Sequence, residues 1–320
     1  MITLNELAQK LLREKNVAII CHIRPDGDAL GSACALKNAL ISKGIRADAF
    51  CSDAVPEKFW FLEDTKSVIQ KYNGDFKEYS AVCGVDNADI TRFGDFAEAF
   101  ARHKNTYNID HHISNGNYAK INFVKERASN SENVFALLKE MKVSIDAKTA
   151  NLLAMGVMLD TGGFRHKNVT AETFKDAGEL VSLGADMNNI YFYTFTRQTK
   201  ARAELFGKTM ARLRYFADGK IALASVRLKD IEESGAKQED TEGFIDFVMG
   251  IIGVEVGICL METETNKYKV SFRSKKADVN AVAGIFGGGG HKLASGCRIY
   301  GEYEEVVDKL TVAVKKYIDD

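Results

Sequence analysis

Neither sign of charge dominates this chain: 43 Lys+Arg stand against 44 Asp+Glu, a formal net charge of −1 at pH 7. A protein that coats long nucleic acid carries a marked basic excess, so the balance excludes that class. A short anion held in one local pocket is still allowed. The six cysteines (Cys21, Cys34, Cys51, Cys83, Cys259 and Cys297) fall inside apolar segments and never form a C-x-x-C pair. They read as buried free thiols of a reducing cytosol, and a disulfide framework would be out of place at 320 residues. No apolar run is long and clean enough for a membrane span. The nearest, residues 244–261, contains Asp246, Glu255 and three glycines, which makes insertion poor. The N-terminal MITLNELAQKLLREK is charged throughout and has no apolar signal core. A cytoplasmic protein with no membrane partner is the expectation. Internal repeats, low-complexity tracts and a Pro-rich linker are also absent, with only two prolines in the chain.

What is there is an ordinary globular composition: 46% hydrophobic, 27% charged and 10% aromatic residues, enough for about two domains with their own cores. The first half alternates short apolar runs with helical patterns. Residues 17–21 (VAIIC), 47–51, 81–85 (AVCGV) and 106–109 read as buried strands. Between and after them, helical patterns cover 29–43, 93–103 and 132–141, and one more runs from about 147 to 159. Strand and helix in alternation predict an α/β fold with a mostly parallel, doubly wound sheet. Beyond about residue 190 the pattern changes to a second, smaller α/β unit. It holds a helix over 199–214, strands at 220–227, 254–261, 268–273 and 296–300, an acidic loop after the first strand, helices near 241–250 and 278–286, a four-glycine loop, and a C-terminal helix. The expected organisation is a catalytic domain over 1–190, a linker over 191–204 and a substrate-binding domain over 205–320.

The chemistry concentrates at the ends of these elements. The stretch His22-Ile-Arg-Pro-Asp26-Gly-Asp28 leaves a buried strand and enters a helix, where Pro25 and Gly27 impose a tight path. In open α/β sheets, ligands bind beyond the carboxyl ends of strands. An imidazole with two hard carboxylates suits a divalent metal of the Mn²⁺ type, whereas an Asp-rich helix cap is the plainer reading. Asp86 ends the strand AVCGV, Asp110-His111-His112 ends TYNI, and Asp160 closes a helix where the macrodipole disfavours a carboxylate. Asp26, Asp28, Asp86 and Asp160 would carry four negative charges, and two divalent ions balance them. Paired ions can clamp the oxygens of an in-line phosphoryl displacement. In the second half, four glycines (287–290) precede His291 and Lys292. Such a run is costly to order and makes sense where backbone N–H groups approach an anion; a flexible surface loop is the alternative.

At these residues the sequence resembles the DHH family of metal-dependent phosphoesterases. The resemblance rests on HIRPDGDALGS, the aspartate of VDNAD, DHH itself and the aspartate of LDTGGF. SFRS (271–274) and GGGGHKLASG (287–296) are similar to the family's associated C-terminal domain. Within the family, the two-domain plan at this length is similar to the nanoRNase/pAp phosphatases. The resemblance implies His22, Asp26 and Asp86 on one metal and Asp28, Asp86, His111 and Asp160 on a second, with Mn²⁺ as the expected pair. It also implies Asp110 as the group that fixes a metal-bound imidazole, and His112 facing the phosphate. Arg273, Gly288, Gly289, Gly290, His291 and Ser295 would contact substrate. Ser295 stands where a second alanine is usual, and His166 where an aromatic is frequent. The implied reaction is hydrolysis of short oligoribonucleotides or linear dinucleotides to mononucleotides, and of 3′-phosphoadenosine 5′-phosphate (pAp) to AMP. An inorganic pyrophosphatase or a single-strand exonuclease of the same superfamily is the alternative. The expected partner is a short oligonucleotide or nucleotide and not long nucleic acid, with a homodimer as the base-rate oligomer.

Overall fold

The computed structural model describes residues 2–318 and divides after Arg197 into two units. In the first, strands β1 (Asn16–Ile20), β2 (Arg46–Phe50), β3 (Ala81–Val85), β4 (Thr106–Asp110) and β5 (Ile121–Val124) form one parallel sheet in the order β2-β1-β3-β4-β5. Its helices are α1 (Leu4–Leu11), α2 (Gly27–Ser42), α3 (Glu63–Lys66), α4 (Ala97–Arg102), α5 (Asn130–Glu140), α6 (Ala147–Asp160), α7 (Ala171–Ser182) and α8 (Met187–Tyr191). The uninterrupted apolar run of β1 follows from burial on both faces. Val17 and Ile19 pack into one core with Leu36, Leu138 and Leu153, whereas Ala18 and Ile20 pack into another with Phe50, Phe93 and Phe100.

Helix α2 starts because the Asp26 carboxylate accepts from the backbone N–H groups of Asp28 and Ala29. It lies against α6 at unusually close range. A Cβ on Gly31 would sit 2.3 Å from the Leu152 carbonyl oxygen, and one on Gly156 would sit 2.0 Å from Ser131 Oγ and 2.5 Å from Asp28 Oδ1. Those two glycines let α6 approach the start of α2 and α5, which brings Asp28 and Asp160 to one place.

The second unit holds α9 (Lys200–Ala211), β6 (Arg214–Phe216), β7 (Ile221–Val226), α10 (Leu228–Ser234), α11 (Phe244–Met249), β8 (Val256–Glu264), β9 (Lys267–Ser274), α12 (Val279–Ile285), β10 (Gly289–His291), β11 (Ala294–Tyr300) and α13 (Tyr303–Lys315). Its sheet runs β10-β11-β9-β8-β7-β6 and is mixed, β7 and β8 being parallel. Tyr268, Val270 and Phe272 of β9 point into a core shared with Val282, Val307 and Leu310, and the intervening Lys267, Lys269, Ser271 and Arg273 point the other way.

Several elements differ from the sequence reading. The acidic stretch after β7 is α10, because Ile231 is buried and Arg212 pairs with Asp230. The helix expected over 93–103 is broken at Gly94, whose φ is +58°, and resumes as α4. Strands β5 and β6, four and three residues long, carry no buried run to betray them. Helix α7 was not expected either. Of the four-glycine loop, Gly289 and Gly290 belong to the edge strand β10, and Gly287 and Gly288 lead into it. No helix among the described residues is long and apolar enough to cross a membrane.

Candidate metal centre

The carboxyl ends of β1, β3 and β4 deliver His22, Asp86 and Asp110-His111-His112, while Asp26 caps α2, Asp28 lies in its first turn and the last residue of α6 is Asp160. Asp86 has φ +55°, a left-handed conformation that costs an L-residue energy and recurs where a side chain is held for a purpose. Its carboxylate divides between two groups. Oδ2 lies 3.6 Å from His22 Nε2, which is itself 3.6 Å from Asp26 Oδ2. Oδ1 lies 3.4 Å from His111 Nε2, which is 3.4 Å from Asp160 Oδ2. Asp28 closes the second group with His111 and Asp160. The two Asp28 oxygens accept from the N–H groups of Asn130 (2.5 Å) and Ser131 (2.8 Å) at the start of α5.

Both imidazoles have one nitrogen committed. His22 Nδ1 is 2.7 Å from the Ile23 carbonyl oxygen and His111 Nδ1 is 3.1 Å from that of Arg127, so each donates at Nδ1 and presents Nε2 inward. Separations of 3.4–3.6 Å are long for hydrogen bonds. They match the ~3–3.5 Å between two ligands that share an ion with bonds of ~2.1 Å. Asp86 Oδ1 and His111 Nε2 are buried without any hydrogen-bond partner. Oxygen and imidazole donors, two of them orphaned and converging, fit divalent cations.

Titration behaviour says the same. With no cation counted, burial pushes Asp160 up to about 9, reinforced by Asp28 and Asp86. Burial also raises Asp28 to about 7, with Asp86 adding to it. Burial alone would lower His22, but Asp26 and Asp86 outweigh it and carry the ring up to about 10; Asp86 and Asp28 do the same for His111, also to about 10. Burial is the largest single influence on Asp86 and would raise it, yet it stays below the ordinary carboxylate range because His111 and His22 hold it ionised.

Asp110 is fully buried and serves a different imidazole from the one expected. It accepts from His112 Nδ1 at 2.8 Å, while His111 is oriented by the Arg127 carbonyl. The two rings lie side by side, centroids 4.5 Å apart, just past the end of β4, and only the His112 ring turns its Nδ1 onto Asp110.

Residues 16–157 match the DHH family, N-terminal domain, and residues 218–320 match the DHHA1 domain. The chain carries a DHH-family N-terminal domain followed by a DHHA1 domain. The bifunctional oligoribonuclease and PAP phosphatase NrnA of Bacillus subtilis is 26% identical over 98% of this chain and 99% of its own length. The crystal structure of an exopolyphosphatase-related protein from Bacteroides fragilis has 28% identity and a TM-score of 0.84, covering 98% of this chain and 96% of that one. RecJ from Thermus thermophilus in complex with Mn²⁺ shares the fold at 14% identity and a TM-score of 0.52, covering 98% of this chain and 54% of its own.

In the DHHA1 domain, Arg273 lies on the outer face of β9, with Nη1 donating to the Phe272 carbonyl at 3.0 Å. Gly289, Gly290 and His291 pair antiparallel with β11. Gly288 and Gly290 allow close approach to β11: a Cβ on Gly288 would lie 2.2 Å from the Gly296 carbonyl oxygen, and Gly290 has φ +151°. The Gly290 N–H donates to Asn280 Oδ1 at 2.8 Å. Ser295 is buried and its hydroxyl donates to the Val279 carbonyl at 2.6 Å, so it is turned into the fold, while His291 is exposed. His166 faces the carbonyl of Asp160 at 3.1 Å, at the end of α6.

The sequence reading did not single out the Asn130 and Ser131 amides, the Arg127 carbonyl or Asn115. Ser129-x-x-Glu132 is a capping-box signature that could have located the start of α5. Nothing local marks the carbonyl or the asparagine.

Proposed function

We propose that this protein hydrolyses phosphoester bonds in short nucleotides, releasing mononucleotides from oligoribonucleotides or linear dinucleotides and converting pAp to AMP, with two divalent cations, Mn²⁺ the preferred pair. The observation that carries the proposal is the division of Asp86 between two imidazole-and-carboxylate groups, each with an Nε2 turned inward. On this reading His22, Asp26 and Asp86 hold one cation, and Asp28, Asp86, His111 and Asp160 hold the other. Paired divalent ions supply charge neutralisation at phosphoryl oxygens and activate water as a nucleophile.

The chain's own groups do the rest. The buried Asp110 keeps the His112 proton on Nδ1, which leaves Nε2 directed at a bound phosphate. The Asn130 and Ser131 amides hold Asp28 so that it cannot turn away from the site. Arg273 and His291 are the DHHA1-domain groups that would meet an anionic substrate. The near-zero net charge agrees with a short one, which needs few phosphate contacts. Incubation of the purified protein and Mn²⁺ with pApA, pAp, inorganic pyrophosphate and a long single-stranded DNA tests the reading. Mononucleotide release from pApA together with AMP from pAp is expected. Turnover of pyrophosphate or long DNA alone would contradict it.

A further inference from the structure

A chain of amides, Asn108 buried and Asn115 half-buried, stands behind the Asp110–His112 pair. Asn115 Nδ2 donates to Asp110 Oδ2 at 2.5 Å and to the Asn87 carbonyl at 3.1 Å. Its Oδ1 accepts from the backbone N–H of Asn117 at 2.8 Å and from Asn108 Nδ2 at 3.1 Å. Two donors and two acceptor sites are therefore all engaged, and this pattern allows one orientation of the amide. Asn108, fully buried on β4, is pinned in turn: its Oδ1 accepts from Tyr118 Oη at 2.9 Å and its Nδ2 also reaches Asn122 Oδ1 at 3.3 Å.

We infer that Asn115 is a positioning residue for phosphoester hydrolysis, holding the Asp110 carboxylate so that His112 is locked in one ring orientation and one tautomer. Asp110 has two oxygens and two donors, His112 Nδ1 on one and Asn115 Nδ2 on the other. Without Asn115, the second oxygen is left unpaired in a fully buried place, and rotating the carboxylate to share its remaining donor shifts the imidazole. A ring that turns about its Cβ–Cγ bond no longer presents Nε2 at a fixed point, and small misplacements of a group that meets the substrate are costly in rate. None of the groups assigned to the cations touches Asn115, so their affinity should be untouched. This inference rests on the function proposed above and on His112 meeting the phosphate.

The test uses the full chain with Mn²⁺ and pApA. Asn115→Ala should lower kcat by ~10–100-fold, the usual cost of losing an outer partner, with KM changed less than about threefold and Mn²⁺ affinity unchanged. In a His112→Ala background the same substitution should cost nothing further, since both changes remove one unit. Asn115→Asp keeps the shape and the bonds from Asn117 and Asn108 but offers Asp110 an acceptor in place of a donor. It guards against a folding defect in the alanine variant and should lower kcat at least as far. A readout independent of turnover is the ¹⁵N spectrum of the His112 ring: fixed Nδ1–H in the natural protein, averaged in both Asn115 variants. Additive losses in the double variant, or a ring signal that Asn115→Ala and Asn115→Asp leave unchanged, would overturn the inference. Failure of the natural protein to cleave pApA would refute the proposed function, while the ring spectra would still decide whether Asn115 sets the tautomer.

Discussion

Four side chains of the metal centre carry protons that an isolated residue would have lost. His22 and His111 rise to about 10, Asp160 to about 9 and Asp28 to about 7, all above their ordinary values. Between about pH 4 and about pH 10 the folded, metal-free chain therefore binds more protons than the unfolded one, so its stability must fall as pH rises. Asp86, lowered, acts in the opposite sense, but only in acid below the ordinary carboxylate range. The melting temperature of the metal-free protein should drop from about pH 6 to about pH 9. Added Mn²⁺ should displace the protons and raise it more at the alkaline end. A metal-free curve that is flat or rises with pH would contradict this. The ligand candidates were legible because carboxylates and imidazoles at the ends of apolar strands are conspicuous. Asn115 and the Arg127 carbonyl were not, since their importance lies in what they face, up to 16 residues away in the chain. The Asp110 pairing was misjudged for a related reason: His111 is taken by the Arg127 carbonyl, a partner distant in the chain, which leaves His112 to Asp110.

Helices α2 and α6 meet through glycine, and that contact sets the distance between Asp28 and Asp160. Gly156→Ala would force its Cβ against Ser131 Oγ and the Asp28 carboxylate, at 2.0 and 2.5 Å. It should cost ~1–3 kcal/mol of stability, as overpacking does, and weaken Mn²⁺ binding as well. Gly178→Ala on α7 is the control: its Cβ would meet nothing within 4 Å, so the variant should gain up to ~1 kcal/mol of helix propensity and bind metal normally. Chemical denaturation and Mn²⁺ titration of both variants check the pair, and equal behaviour would contradict the packing argument. Elements with a continuous buried run, such as β1 and β3, were readable in advance, whereas α7 was missed although Thr170 caps it. The glycine run has a second use that composition alone does not reveal, close approach to a neighbouring strand at Gly288 and Gly290. Strands β5 and β6 are too short and too thinly buried for any periodicity to show.

Two units with separate cores make up the molecule, dividing after Arg197, and the second mixes buried parallel strands, β7 and β8, with strands such as β9 that alternate buried and exposed. The first unit carries every group assigned to the cations, so its parallel sheet, with ligands gathered past the carboxyl ends of β1, β3 and β4, is the frame of the proposed chemistry. All of it depends on Asp86 serving two cations at once. The most direct measurement is the number of Mn²⁺ ions bound per chain, by calorimetric titration of metal-free protein, for the natural chain and for Asp86→Asn. Two ions are expected in the natural protein, with both sites lost or greatly weakened in the variant. A single ion in the natural chain, or an Asp86→Asn protein that keeps both at full affinity, would contradict the account.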